Sequence, residues 1–152
     1  MAENPNQHLV GKESPPSTVH VDKSRIRQFA RAVGLDDPAY FDEAAARKLG
    51  YPSLVGPPTM PIGLGQDVDP GGGQMPRLTW DVATLLHEGT EIQYDRPIFA
   101  GDVLTMKSGL KSITRREGKS GARVIYTIEQ AFYDPSGKRV CALLIRTSEK
   151  TE

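Results

Sequence analysis

Polar residues dominate positions 1–16, which carry three prolines and no apolar periodicity, and the stretch reads as a loose arm. "STVHV", 17–21, predicts a short strand. In "DKSRIRQFARAVG", 22–34, Ile26, Phe29, Ala30 and Val33 recur on one helical face, and Gly34 stops the helix. "VGLDDPAYFDEAAARKLGY", 33–51, turns at Asp36, Asp37 and Pro38. A second helix is predicted from Ala39 to Leu49, with Asp37 as its N-cap and Gly50 past its end. "YPSLVGPPTMPIGLG", 51–65, is dense in Pro and Gly and ends in a short helix from about Thr59. "DPGGGQ", 69–74, reads as a flexible loop, and "LTWDVATLLH", 78–87, as a short helix or a strand leading into one.

From Glu88 the period changes. "TEIQYDRPIF", "DVLTMKSGLKSITRR", "RVIYTIEQAFY" and "RVCALLIRTS" are strand-like runs rich in Val, Ile, Thr and Tyr. "AGD" separates the first two, and "EGKSG" and "DPSGK" separate the others as hairpin turns would. Short turns between consecutive strands predict an antiparallel meander. Helices followed by a sheet give an α+β domain, and no internal repeat is visible.

Composition narrows the function classes. A chain of 152 residues fits one domain and can bury roughly two thirds of its unfolded surface. Nineteen basic residues balance nineteen acidic ones, which argues against a nucleic-acid or anionic-membrane partner, since both want a basic excess. The single cysteine, Cys141, excludes an internal disulfide and fits a reducing compartment. The start, "MAENPNQHLV", lacks the pattern of a secretory signal, and no apolar run reaches the ~20 residues of a membrane span. A cytoplasmic protein is expected. Scattered histidines show no metal-ligand spacing, so no metal is expected.

The order of "VGLDDPAYFDEAAARKLGYPSLVGPPTMP", "LLHEGTEIQYDRPIFAGD" and the closing hairpins resembles the MaoC-like hydratases and dehydratases, most of all the N-terminal-type MaoC dehydratase domain. The resemblance runs from about Val19 to Thr147. It implies a hot-dog fold over 17–149, an antiparallel sheet wrapped around a central helix. It also implies water addition to a 2-enoyl thioester of coenzyme A or acyl carrier protein, or the reverse, with no cofactor beyond that carrier. A homodimer, or a heterodimer with a related subunit, is the implied assembly.

Active members of that family carry a loop Gly-Asp-x-Asn-Pro-x-His. Matched here on Gly34 and Pro38, it puts Leu35 at the catalytic Asp position, Asp37 at the Asn position and Tyr40 at the catalytic His position. Leu35 cannot move a proton, and a tyrosine with a reference pKa of about 10 is a poor base near pH 7. The loop keeps its frame without the usual dyad. Asp36 lies one residue past the Asp position, where a turn role competes with catalysis. Tyr40 can donate to a thioester oxygen or pack on the neighbouring helix.

The resemblance places substrate against Asp37, Tyr40, Thr59, Met60 and Gly63, the last three at the start of the central helix, where free amides can hold a thioester oxygen. Chain routing by the prolines explains the same residues equally well. His87 with Glu88 is the remaining acid–base pair, set against a histidine that merely ends a helix. Arg96 suits a structural ion pair better than a phosphate, and "KSITRREGKSG" is a solvated tip or a contact for the nucleotide end of coenzyme A. The leading expectation is an acyl-thioester-binding subunit of an enoyl-CoA hydratase or 3-hydroxyacyl-thioester dehydratase. The alternatives are a complete homodimeric enzyme using His87 and Glu88, a non-enzymatic acyl-CoA-binding module, and a thioesterase on the same fold.

Overall fold

A computed structural model describes residues 4–65, 78–118 and 121–151. The strands are β1 (Ser17–His20), β2 (Leu86–Tyr94), β3 (Val103–Gly118), β4 (Gly121–Tyr133) and β5 (Arg139–Lys150); the helices are α1 (Lys23–Ala32), α2 (Glu43–Lys48) and α3 (Met60–Leu64). All strand pairs are antiparallel, in the order β1-β3-β4-β5-β2. The sheet with its few helices is the expected α+β hot-dog architecture.

The meander holds for β3, β4 and β5 only. Residues 95–102, with "AGD" at their end, are no hairpin: they carry the chain from β2 at one edge to β3 near the other. The Asp134 carboxylate folds the β4–β5 turn by accepting from Ser136 N at 2.9 Å and Lys138 N at 3.0 Å. Residues 78–85 hold no regular element, so the strand begins only at Leu86. "DPGGGQ" lies outside the described residues.

α1 ends as expected. Gly34 takes a positive φ of 75°, which closes the helix and lets Leu35 N reach Ala30 O at 2.9 Å. Ile26 and Ala30 are buried, whereas Val33 is half exposed at the C-cap and leaves the apolar face. The predicted second helix is two pieces. Pro38–Tyr40 forms a single 3-10 turn, and α2 starts afresh at Glu43 with Asp42 as its cap, accepting from Ala45 N at 3.0 Å. A competing cap four residues into the run explains the break.

The core is a set of cross-strand rows under α1 and α3. Met106, Phe132 and Cys141 lie opposite one another on β3, β4 and β5, and Tyr94 of β2 completes the row. The first three are fully buried against Ile26, Leu54, Met60, Leu64 and Ile98. Side chains of this size contribute about 1.5–3 kcal/mol each on burial. Burial also pushes the Cys141 thiol up to about 12, so it packs as an apolar group.

The arm is not loose from Asn4 onward. Leu9 is buried with Leu110, Tyr126 and Ile128. Gly11 N donates to Leu110 O at 2.9 Å and Ser14 N to Ser108 O at 2.7 Å, so the segment covers the β3 edge that β1 leaves unpaired. The Asn6 amide accepts from Thr79 N at 2.7 Å and donates to Thr79 O at 2.6 Å, tying the arm to residues ahead of β2. These are backbone and single-amide contacts, which apolar periodicity does not register.

The arm passes over Gly109, where an added Cβ would stand 2.9 Å from Lys12 O. Gly109→Ala is therefore expected to destabilise the chain by about 1–3 kcal/mol in urea unfolding and to expose residues 4–14 to protease. An unchanged midpoint and cleavage pattern would mean the arm contributes nothing.

Candidate functional site

The loop that carries Leu35 and Tyr40 is shaped by backbone chemistry. Gly34 supplies the reversal, Asp37 Oδ1 accepts from Ala39 N at 2.8 Å, and Pro38 fixes the first position of the 3-10 turn. Asp37 is thus a cap, but of the 3-10 turn and not of a helix running to Leu49, and Asp36 is exposed on the turn. Arg27 Nε donates to Phe41 O at 3.1 Å, while the Arg31 guanidinium lies 5.6 Å from the Phe41 ring centre. Together they fasten the loop to α1.

Tyr40 leaves this loop into a largely apolar pocket of about 380 Å³, shared with Tyr51, Val55, Pro58, Tyr94, Asp95 and Arg96. Arg96 and Pro97 line it, at the start of a segment held in place up to residue 102. Gly56 N donates to Ile98 O at 2.7 Å, Ala100 N to Leu54 O at 2.9 Å and Gly101 N to Val21 O at 2.8 Å. Arg96 forks onto Asp102, with Nη1 to Oδ2 at 2.8 Å and Nη2 to Oδ1 at 3.1 Å, and Asp102 Oδ2 also accepts from Phe99 N at 2.9 Å. Arg96 is in a structural ion pair.

The titratable groups of the pocket are poorly suited to proton transfer near neutrality. Burial raises Tyr40, helped by the charge of Asp37 and by Tyr51. Burial raises Tyr94 further, and its hydroxyl donates to Pro58 O at 2.8 Å. Asp95 is held below the usual carboxylate range by Arg139, whose Nε lies 2.6 Å from it. The hydrogen bond to Asp102 raises Arg96, which stays a cation.

The other candidates lie elsewhere. Met60 and Gly63 line a separate groove with Arg25, Phe29 and Leu64. Met60 N donates to Pro57 O at 2.9 Å and Ile62 N to Thr59 O at 3.2 Å, and Pro61 has no amide, so the expected fan of free amides at the start of α3 is largely used up. Thr59 is exposed and makes no side-chain cap. His87 ends no helix; it is exposed on β2, with its ring 3.3 Å from Thr90 Oγ1. Glu88 turns to other partners, Ser148 Oγ at 2.7 Å and Arg116 Nη2 at 2.9 Å. The two make no acid–base pair.

Tyr51, Val55, Tyr94 and Asp95 line the pocket without having been candidates from the sequence. Tyr94 had a signal, since it follows Ile92 at the strand period and Ile92 packs on the core. Tyr51 had none.

The profile of the FAS1-like dehydratase domain region matches residues 8–143. The chain belongs to that family. A UPF0336 protein of Streptomyces coelicolor is 34% identical over 139 residues, 89% of this chain and 88% of its own length. Among solved structures, a MaoC-like dehydratase superposes with a TM-score of 0.77 at 29% identity, covering 94% of this chain and 42% of that one. A chain of the C-terminally truncated HadBC (3R-hydroxyacyl-ACP dehydratase) complex from Mycobacterium tuberculosis gives 0.70 at 25% identity, covering 92% and 96%. The FAS1-like dehydratase family assignment and the hot-dog fold place this chain with the MaoC-like hydratases and dehydratases. Among the described residues no helix is long and apolar enough to cross a membrane.

Two predictions come from this site. Asp102→Ala leaves Arg96 and Phe99 N without their acceptor, and a loss of about 2–3 kcal/mol is expected in denaturant unfolding; a change under half a kcal/mol would make the pair dispensable. Tyr40, Tyr94 and Tyr126 are three of the five tyrosines, and all three are raised chiefly by burial. Above pH ~10 the unfolded chain loses tyrosine protons that the folded chain keeps, so stability is intact below that pH and falls above it. Tyrosinate absorbance should show a late fraction released with unfolding. All five titrating together in the folded chain would contradict this.

Proposed function

We propose that this chain is the acyl-thioester-binding subunit of a MaoC-like hydratase or dehydratase, acting beside a hot-dog partner that carries the Asp and His. The observation that carries the reading is the pocket beside Tyr40. Its loop carries Tyr40, which the family resemblance puts at the catalytic His position with Leu35 at the Asp position, and its carboxylate and guanidinium are spent on Arg139 and Asp102. Hydration of an enoyl thioester needs a base to activate water, and among the described residues this pocket offers none. An apolar pocket can still hold an acyl group. The similarity to a chain of the HadBC complex supports a place in a two-subunit assembly, and the thioester carrier is coenzyme A or acyl carrier protein.

General acid–base catalysis contributes about a hundred- to ten-thousandfold. The purified chain is expected to bind crotonyl-CoA yet hydrate it about a hundredfold or more slowly than a dyad-bearing MaoC-like enzyme, with ordinary turnover restored by mixing with such a partner. Leu35→Asp with Tyr40→His should give a detectable gain, well short of full activity because supporting groups are missing. Full turnover by the chain alone would refute the subunit role. Light scattering is expected to report a dimer, alone or with the partner; a monomer at micromolar concentration in both samples would refute the assembly.

A further inference from the structure

The pocket holds two unspent hydroxyls. Tyr40, on the turn after Asp37, and Tyr51, just beyond α2, both line it, and neither hydroxyl has a hydrogen-bond partner among the described residues. Tyr51 is close enough to bear on the ionisation of Tyr40. The Tyr51 ring is steadied by Phe99, 5.8 Å between centres, and Tyr40 packs on the core cluster. Tyr94 is different, because its hydroxyl is committed to Pro58 O and its ring serves as wall.

The charges nearby decide what such donors can take. Asp95 is paired with Arg139, and Arg96 is paired with Asp102. An anionic group would meet the Asp95 carboxylate and find no unpaired cation among the lining residues, and a cationic group would have to displace Arg139. Two neutral O–H donors remain, set among Val55, Pro58 and Pro97. We infer that Tyr40 and Tyr51 form a paired donor site for an uncharged oxygen, a carbonyl or a hydroxyl, on an otherwise apolar ligand. Each phenol offers an O–H to a ligand oxygen, a donor's part and not that of the missing base. The inference rests on the acyl-thioester reading, within which two oxygens qualify: the thioester carbonyl and a 3-hydroxyl.

Calorimetric binding to the full chain tests it with three probes: octyl-CoA, a thioether with no oxygen on its tail, octanoyl-CoA and 3-hydroxyoctanoyl-CoA. Tyr40→Phe, Tyr51→Phe and the double variant keep the rings and remove the hydroxyls. The double variant is expected to bind an oxygen-bearing probe about tenfold or more weakly, each single variant by a smaller factor, with octyl-CoA unchanged. A loss already present with octanoyl-CoA assigns the carbonyl, and one confined to 3-hydroxyoctanoyl-CoA assigns the hydroxyl. Equal affinity of the wild type and the double variant for all three probes overturns the paired-donor site. So does an equal loss for octyl-CoA, which would mean ring packing. If the wild type binds none of the three, the acyl-thioester reading falls and takes this inference with it.

Discussion

The fork between Arg96 and Asp102 is the interaction on which the pocket depends. It closes the segment that carries the chain from one edge of the sheet to the other, and the same carboxylate takes the Phe99 amide. With that turn fixed, Ile98 and Ala100 can pair with Gly56 and Leu54, and the loop before α3 becomes the opposite wall. Partly buried ion pairs return little net stability, because desolvation offsets most of the attraction. What this one supplies is geometry. It also consumes the one guanidinium lining the pocket among the described residues, so the charge that shapes the cavity is not available to bind a ligand.

Loop shape and loop chemistry reside in different residues, which is why one can survive the other. Gly34, Asp37 and Pro38 act through φ, a cap and a missing amide. None of these needs an acid at position 35 or an imidazole at position 40. Under the proposed function, exchanging those two side chains leaves the frame in place and puts an apolar residue and a weak acid where a proton-transfer pair would stand. Under that same function, the pocket holds a ligand rather than transforming it, and a second subunit is the source of the base.

Much of the fold could be read from the chain because period-2 runs of β-branched residues survive any tertiary arrangement. β3, β4 and β5 follow that signal, and α1 with its Gly34 stop follows the helical one. Where β2 sits could not be read, since pairing with β5 rather than β3 depends on the whole sheet. The arm was misread for a related reason: Asn6, Gly11 and Ser14 dock through amides and carbonyls, which carry no hydropathy. At the site, the matched loop located Tyr40. Tyr51 lies beyond α2 in the same stretch and Tyr94 at the end of β2, and both join it only through the fold.

Tyr94 links these levels. It is the last residue of β2, an edge strand, and it ends the row of Met106, Phe132 and Cys141 that forms the floor of the core. At 38% exposure it is also the point where the core, the pocket wall and the open edge of the sheet meet. Leu86, at the other end of the same strand, is 55% exposed. An unpaired edge that presents apolar side chains is unfavourable in water, and proteins cover, charge or pair such edges. Under the proposed function, the strand that has no second neighbour among the described residues borders the pocket that depends on a partner for its base. A partner pairing along β2 would therefore lie beside Tyr94, near enough to the pocket for one association to meet both needs.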